Sequence, residues 1–134
     1  MLARRTAFIA TIHDDTVAPL AAFHVGRFNQ IGETGYIKMY VYKTSGTYDA
    51  SNCVWEKSSD DGVTFSVVSA TSNIELTYFD VDLYGAANQK YKGTTMMNIL
   101  ELTHGDHGLY RVKAEEGTAF SYSEIYNSET NKII

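Results

Sequence analysis

The chain has 134 residues, the size of one ordinary domain, with 44% hydrophobic residues, 20% charged residues and a net charge of −5. Neutralising phosphates needs a basic face, and this balance implies none, so nucleic acid is not an expected partner. Ten Tyr and six Phe beside a single Pro favour strands over long helices, because aromatic rings pack well on a pleated surface.

The chain opens "MLARRTAFIATIHDD", whose apolar stretch Ala7–Ile12 is interrupted by Thr11 and closed by His13, Asp14 and Asp15. That is too short for a signal-peptide core or a membrane span, so no membrane insertion is expected. Thr6 to Ile12 and Leu20 to Val25 read as strands joined through "HDDTVAP". "GETG" breaks the chain before "YIKMYVY", where Ile37, Met39 and Val41 alternate with Lys38, Tyr40 and Tyr42, the period of a half-buried strand. After the turn-rich "KTSGTYDASN", Cys53 and Trp55 share the next inward face. Cys53 is the only cysteine, so no internal disulfide can form; the expectation is a chain made and kept in a reducing cytosol, with Cys53 a small buried hydrophobe. "SSDDG" then supplies turn chemistry, and Thr64 and Phe65 open a return strand through Ser69. Two further strands are expected in Ile74–Leu83 and Thr94–Thr103, and a last pair in "GLYRVKAEEGTAFSYSEIY" turns at "EEG". Many short strands and no sustained helical period predict an all-β sandwich or barrel.

Within "VWEKSSDDGVTF", Ser58, Asp60, Gly62, Thr64 and Phe65 have a spacing that resembles the Asp-box repeated around sialidase propellers. A propeller needs several blades of about 40–50 residues, and this chain has room for roughly three. The Asp-box occurs once, and Arg4, Arg5, Arg27 and Arg111 are scattered rather than clustered for a carboxylate. The motif is therefore expected to stabilise a hairpin and to carry no chemistry.

Met97, Ile99, Leu102, Asp106, Gly108, Tyr110 and Val112 fall in a pattern that resembles the E-to-F region of an immunoglobulin-like domain, with Val112 in the place of its cysteine. Trp55 matches the strand C tryptophan, and Val41 takes the position of the first cysteine. The resemblance covers about Gly35 to Tyr126. It implies an immunoglobulin-like Greek-key β-sandwich without a disulfide over residues 35–134, in which Tyr110 forms a tyrosine corner by bonding back to upstream backbone. It also implies that Val41 and Val112 face each other across the core. A disulfide usually contributes ~2–4 kcal/mol, and two buried valines recover ~1.5–3 kcal/mol each.

Residues 1–34 form an N-terminal extension that is apolar at Phe8, Ile9, Ile12, Leu20, Phe23 and Phe28. Two readings stand side by side: extra edge strands covering the sandwich, or an arm that docks on a partner by β-augmentation or apolar burial.

Other candidate sites have bland readings. His104 and His107 bracket Asp106, but that spacing does not supply the tetrahedral geometry of a zinc site, and Asp106 is expected in the E-to-F turn. His13, Asp14 and Asp15 read as a solvated turn. Glu115 and Glu116 sit adjacent on a hairpin tip, so paired-carboxylate glycoside chemistry is not suggested. No nucleophile elbow, P-loop or zinc-protease helix occurs. Catalytic residues, metals and cofactors are not expected.

The chain resembles the small immunoglobulin-like proteins that decorate tailed-bacteriophage virions, folding in the host cytoplasm without disulfides and leaving by lysis. That resemblance implies a non-enzymatic structural protein bound to a capsid or other virion protein in multiple copies, where weak individual contacts suffice, with attachment to surfaces as a further role. The alternative is a carbohydrate-binding or adhesin-type module, in which Tyr40, Tyr42, Tyr78, Tyr84 and Tyr91 would stack on a surface glycan.

Overall fold

Alternation of buried and half-buried residues sets the strands. The computed structural model describes residues 18–44, 48–79 and 93–134. Its strands are β1 (Leu20–Arg27), β2 (Gly35–Tyr42), β3 (Cys53–Ser58), β4 (Ser66–Val67), β5 (Ile74–Phe79), β6 (Gly93–Ile99), β7 (Leu109–Glu116), β8 (Ala119–Tyr122), β9 (Tyr126–Asn127) and β10 (Lys132–Ile133). In β2 every second residue from Gly35 to Val41 is buried, and the residues between them are half-buried, as the period of two predicts.

The strands form two antiparallel sheets packed as a sandwich. One runs in the order β1-β2-β6-β5. The other runs β10-β9-β7-β3-β4, with β8 also paired to β7. With β8 and β9 taken as one interrupted strand G and β10 left unlettered, the orders in chain-order letters are A-B-E-D and G-F-C-C′. The last strand is broken in two: β8 pairs the far half of β7, and β9 pairs Leu109 and Tyr110. Ser123 spans the break. Its N–H donates to the Val112 carbonyl at 2.8 Å and its Oγ accepts from the Val112 N–H at 2.9 Å, so neither buried group is left dry.

Ile37, Met39, Val41, Met97 and Ile99 from the first sheet meet Trp55, Tyr110, Val112 and Ala114 from the second, all at most 1% exposed. The Trp55 indole N–H donates to Thr95 Oγ1 at 2.8 Å, which ties β3 to β6 across the core. The Tyr110 hydroxyl donates to the Asp106 carbonyl, the tyrosine-corner bond that the resemblance implies. Leu102 is buried at 1% beneath Gly35. Gly108 must be glycine: a Cβ there would lie 2.6 Å from the Ser58 carbonyl oxygen, a backbone atom with no means of yielding.

The described part of the N-terminal extension follows the edge-strand reading. Phe8, Ile9 and Ile12 lie outside the described residues. Leu20 and Phe23 belong to β1, which is hydrogen-bonded to β2 from Leu20↔Tyr42 to Arg27↔Tyr36 with one bulge between Phe23 and Val25. Residues 20–27 are thus an edge strand of the sandwich, and a boundary at 34/35 would cut a β-hairpin. Phe28 is 2% exposed, packed against Tyr110 and Tyr126 with ring centroids 5.5 and 6.2 Å away, and Phe23 stacks on Tyr126 at 5.4 Å. Phe28 is therefore part of this chain's own core, and Phe23, half-buried, packs against it. The sequence alone did not reveal this because apolar residues report burial without naming what buries them.

Candidate interaction face

The Asp-box hairpin carries β3 into β4. Ser58 Oγ donates to Asp60 Oδ1 at 2.7 Å and accepts from the Gly62 N–H at 2.8 Å. Asp60 also accepts from the Thr64 N–H at 2.9 Å and from the Thr64 hydroxyl at 2.5 Å. Those bonds, the Thr64 hydroxyl foremost, hold the Asp60 carboxyl down at about 2. Asp61 and Gly62 turn the chain with φ of 63° and 90°, and Gly62 adopts this at no steric cost. Every polar group of the motif is spent on the turn.

The hairpin's return delivers Phe65 to the outer face of the second sheet. There the Arg111 guanidinium lies 3.8 Å from the centroid of Phe65 and 3.8 Å from that of Tyr122, between two rings. Its Nε donates to Glu56 Oε1 at 2.8 Å, directly across the β3–β7 ladder. Lys113 Nζ sits 4.4 Å from the Phe120 centroid and 3.2 Å from Glu115 Oε2, and Phe120 meets Tyr122 edge-on at 5.6 Å. Lys43 pairs with Glu116 at 2.8 Å. The result is a pre-ordered patch in which these charges are balanced locally while Phe120 and Tyr122 remain 47% and 43% exposed.

Such a patch has the chemistry of a binding surface. Arg and Tyr are the residue types on which interface energy concentrates. An arginine already held by two rings and a carboxylate loses little rotamer freedom when a partner arrives. No protein-family model matches the sequence, and no curated protein matches it.

The other sequence candidates fall elsewhere. Asp106 Oδ2 accepts from the Thr103 N–H at 2.8 Å and from the Thr103 hydroxyl at 3.0 Å, which commits its carboxylate to a short 3₁₀ turn, His104–Asp106. Among the described residues no three His, Cys, Asp or Glu side chains come together as metal ligands. Glu115 and Glu116 are divided between Lys113 and Lys43. Cys53 is 4% exposed, and burial pushes its thiol up to about 11. Of the candidate sugar-stacking tyrosines, Tyr84 and Tyr91 lie outside the described residues. Tyr40 is stacked on His24 at 4.5 Å on the opposite sheet, and Tyr78 is 36% exposed on β5.

The residues that build the patch were missed as a group. Arg111 was read only as one of four scattered arginines. The signal was present in "RVK" and "FSY", two alternations across the "EEG" turn whose register sets Lys113 opposite Tyr122 and Glu115 opposite Phe120.

Proposed function

We propose that this chain is a non-enzymatic, immunoglobulin-like binding module that decorates a virus particle in many copies, docking on a capsid or tail protein after folding in the host cytoplasm. The observation that carries the binding role is the outer face of the second sheet, where Arg111 is held between Phe65 and Tyr122 and the rings of Phe120 and Tyr122 stay exposed. The strand order A-B-E-D over G-F-C-C′ and a core that closes without sulfur bridging support the immunoglobulin-like assignment on which the virion reading depends. Repetition of one modest contact over a regular shell suits a face of this size, because avidity replaces single-site affinity.

The same exposed rings would also serve stacking on sugar, so the competing reading is a carbohydrate-binding module. The deciding experiment is mass spectrometry and antibody-gold imaging of density-gradient-purified particles from the source culture, run beside a glycan array. Recovery of the chain at a fixed high copy number per particle supports decoration, with retention reduced by Tyr122→Ser and Arg111→Ala. Its absence from particles, or glycan binding lost in the same two variants, would overturn that reading.

A further inference from the structure

Two hairpins far apart in the sequence supply the rings on either side of the Arg111 guanidinium, and they hold those rings by different means. Tyr122 belongs to β8, which is paired to β7 at four positions from Lys113↔Tyr122 to Glu116↔Ala119, so a regular ladder fixes its place. Phe65 precedes β4, which pairs with β3 only at Lys57↔Ser66 and Glu56↔Val67 and whose two residues are both exposed. Two residues fall short of the usual strand length of about 3–10, and neither brings a buried side chain to anchor the strand.

The turn supplies the support that the ladder lacks. Thr64, next to Phe65 in the chain, is gripped twice by the Asp60 carboxylate, through its N–H at 2.9 Å and its hydroxyl at 2.5 Å. The same carboxylate accepts from Ser58 Oγ at 2.7 Å, and Ser58, the last residue of β3, is 1% exposed. A continuous path therefore runs from buried Ser58 through Asp60 and Thr64 to Phe65 and on to Arg111, each link a hydrogen bond, a peptide bond or a ring contact. Asp60 has no direct hold on Arg111, whose salt bridge is to Glu56.

The shape of the guanidinium says what Phe65 contributes. Glu56 takes its Nε edge at 2.8 Å. One hydrogen bond leaves a planar group free to swing about that bond, whereas a ring on each face fixes the plane as well. With Phe65 withdrawn, one face opens to water, the attraction between cation and ring is lost on that side, and rotamer freedom given up on folding returns.

We infer that the Asp-box hairpin is the ordering element of the interaction face, with Phe65 the residue that positions Arg111 and Asp60 acting on Arg111 through Phe65. The use of this order in recognition rests on the binding reading proposed above, while the ordering itself stands on the contacts within the chain. The motif then does more than close its own turn. Without touching a partner, it sets whether that partner meets a fixed cation or a swinging one.

The test follows the Arg111 Nε–H by heteronuclear NMR of the full-length chain at mildly acidic pH, the signal assigned by its loss in Arg111→Lys. In the unaltered chain this proton is expected to exchange slowly with water and to be shifted by the ring currents of its two neighbours. Phe65→Ala should speed the exchange on the order of tenfold and remove part of the ring shift, and Phe65→Tyr should keep both as they were. Asp60→Ala should reproduce most of the Phe65→Ala effect although it removes nothing that touches Arg111. Thr64→Val, which deletes one hydroxyl of the turn, takes its place if the alanine variant melts too low. The deciding measurement is the double variant: with Phe65 already alanine, Asp60→Ala should add nothing further at Arg111, because its route there is cut. An unchanged Arg111 signal in folded Phe65→Ala or Asp60→Ala protein, or two effects that simply add, overturns the inference. Particle retention is read separately, and under the decoration reading Phe65→Ala and Asp60→Ala should each bind about three- to tenfold more weakly, the cost of ordering one side chain on docking. A chain that shows the coupling at Arg111 and is absent from particles keeps the ordering role and overturns the decoration reading alone.

Discussion

Removing one oxygen from the core tests how the two sheets are pinned. In Tyr110→Phe the ring, 1% exposed and packed on Phe28, keeps its place, and only the hydroxyl that donates to the Asp106 carbonyl is lost. A net hydrogen bond contributes about 0.5–1.5 kcal/mol, and a carbonyl left without a partner adds to the loss. Asp106 is half-buried, so water recovers part of that second cost, and the destabilisation should be about 1–2 kcal/mol. At ~2.1 cal/mol/K per residue, a chain of this length has an unfolding entropy near 0.28 kcal/mol/K, so Tm should fall by about 4–7 °C. Differential scanning calorimetry measures this directly, with Tyr122→Phe, 43% exposed, as the control expected to move little. The pH dependence gives a second readout. Burial raises the Tyr110 hydroxyl above its usual 10.0, so the folded state resists ionisation that the unfolded chain permits. Its contribution is fully present below pH 10 and is lost as pH rises above that value, so the gap between the two proteins should narrow in alkali. A variant melting within about 1 °C of the unaltered chain would refute the pinning role.

Three further outcomes are expected. Gly108→Ala places a methyl group 2.6 Å from the Ser58 carbonyl oxygen and should cost at least ~1–3 kcal/mol, read from urea midpoints, with β3 and β7 forced apart at their ends. The Asp60 carboxyl, held at about 2, should titrate near that value by NMR. Because its folded pKa is depressed, its stabilisation is present above the ordinary carboxylate range and disappears as pH falls through about 2, and Asp60→Asn should flatten this acid limb. Cys53, buried with its thiol pushed up to about 11 and its Sγ 2.8 Å from the Ala50 carbonyl, should resist alkylation at neutral pH until denaturant is added, as followed by intact mass.

Residues that encode a local geometry could be read from the sequence, and residues that depend on distant register could not. Tyr110 and Gly108 belong to one short corner, where the resemblance implied a hydroxyl bonding back to nearby backbone and a turn at Gly108, and the structure adds the four-residue reach and the close backbone at Gly108. Asp60 and Thr64 likewise close their hairpin within five residues, so the motif announces the turn. Phe23 and Phe28 were legible as apolar but could not be divided between the chain's own sandwich and a partner, because their packing depends on Tyr126 and Asn131, about a hundred residues downstream. The Arg111 patch lies between these cases. Its strands were anticipated, but the facing of Phe65 and Tyr122 on either side of one guanidinium depends on how two separate hairpins meet on β7.

Dispensing with a disulfide shifts where the stabilisation acts. A cross-link works mainly by restricting the unfolded chain, while this chain places its cross-sheet ties in the folded state. Val41 and Val112 are fully buried in the core, and Val112 stands opposite Trp55 in the β3–β7 ladder. Non-directional burial alone would leave the sheets free to slide. Direction comes from the Trp55–Thr95 hydrogen bond in the centre and from Ser121, Glu124 and Asn131 along the β1 edge, where side chains of one layer replace the missing strand neighbours of the other. The Trp55 tie satisfies a buried donor and the others satisfy backbone groups at and beside the β1 edge, so the bonds that fix the alignment of the layers also cover part of that edge.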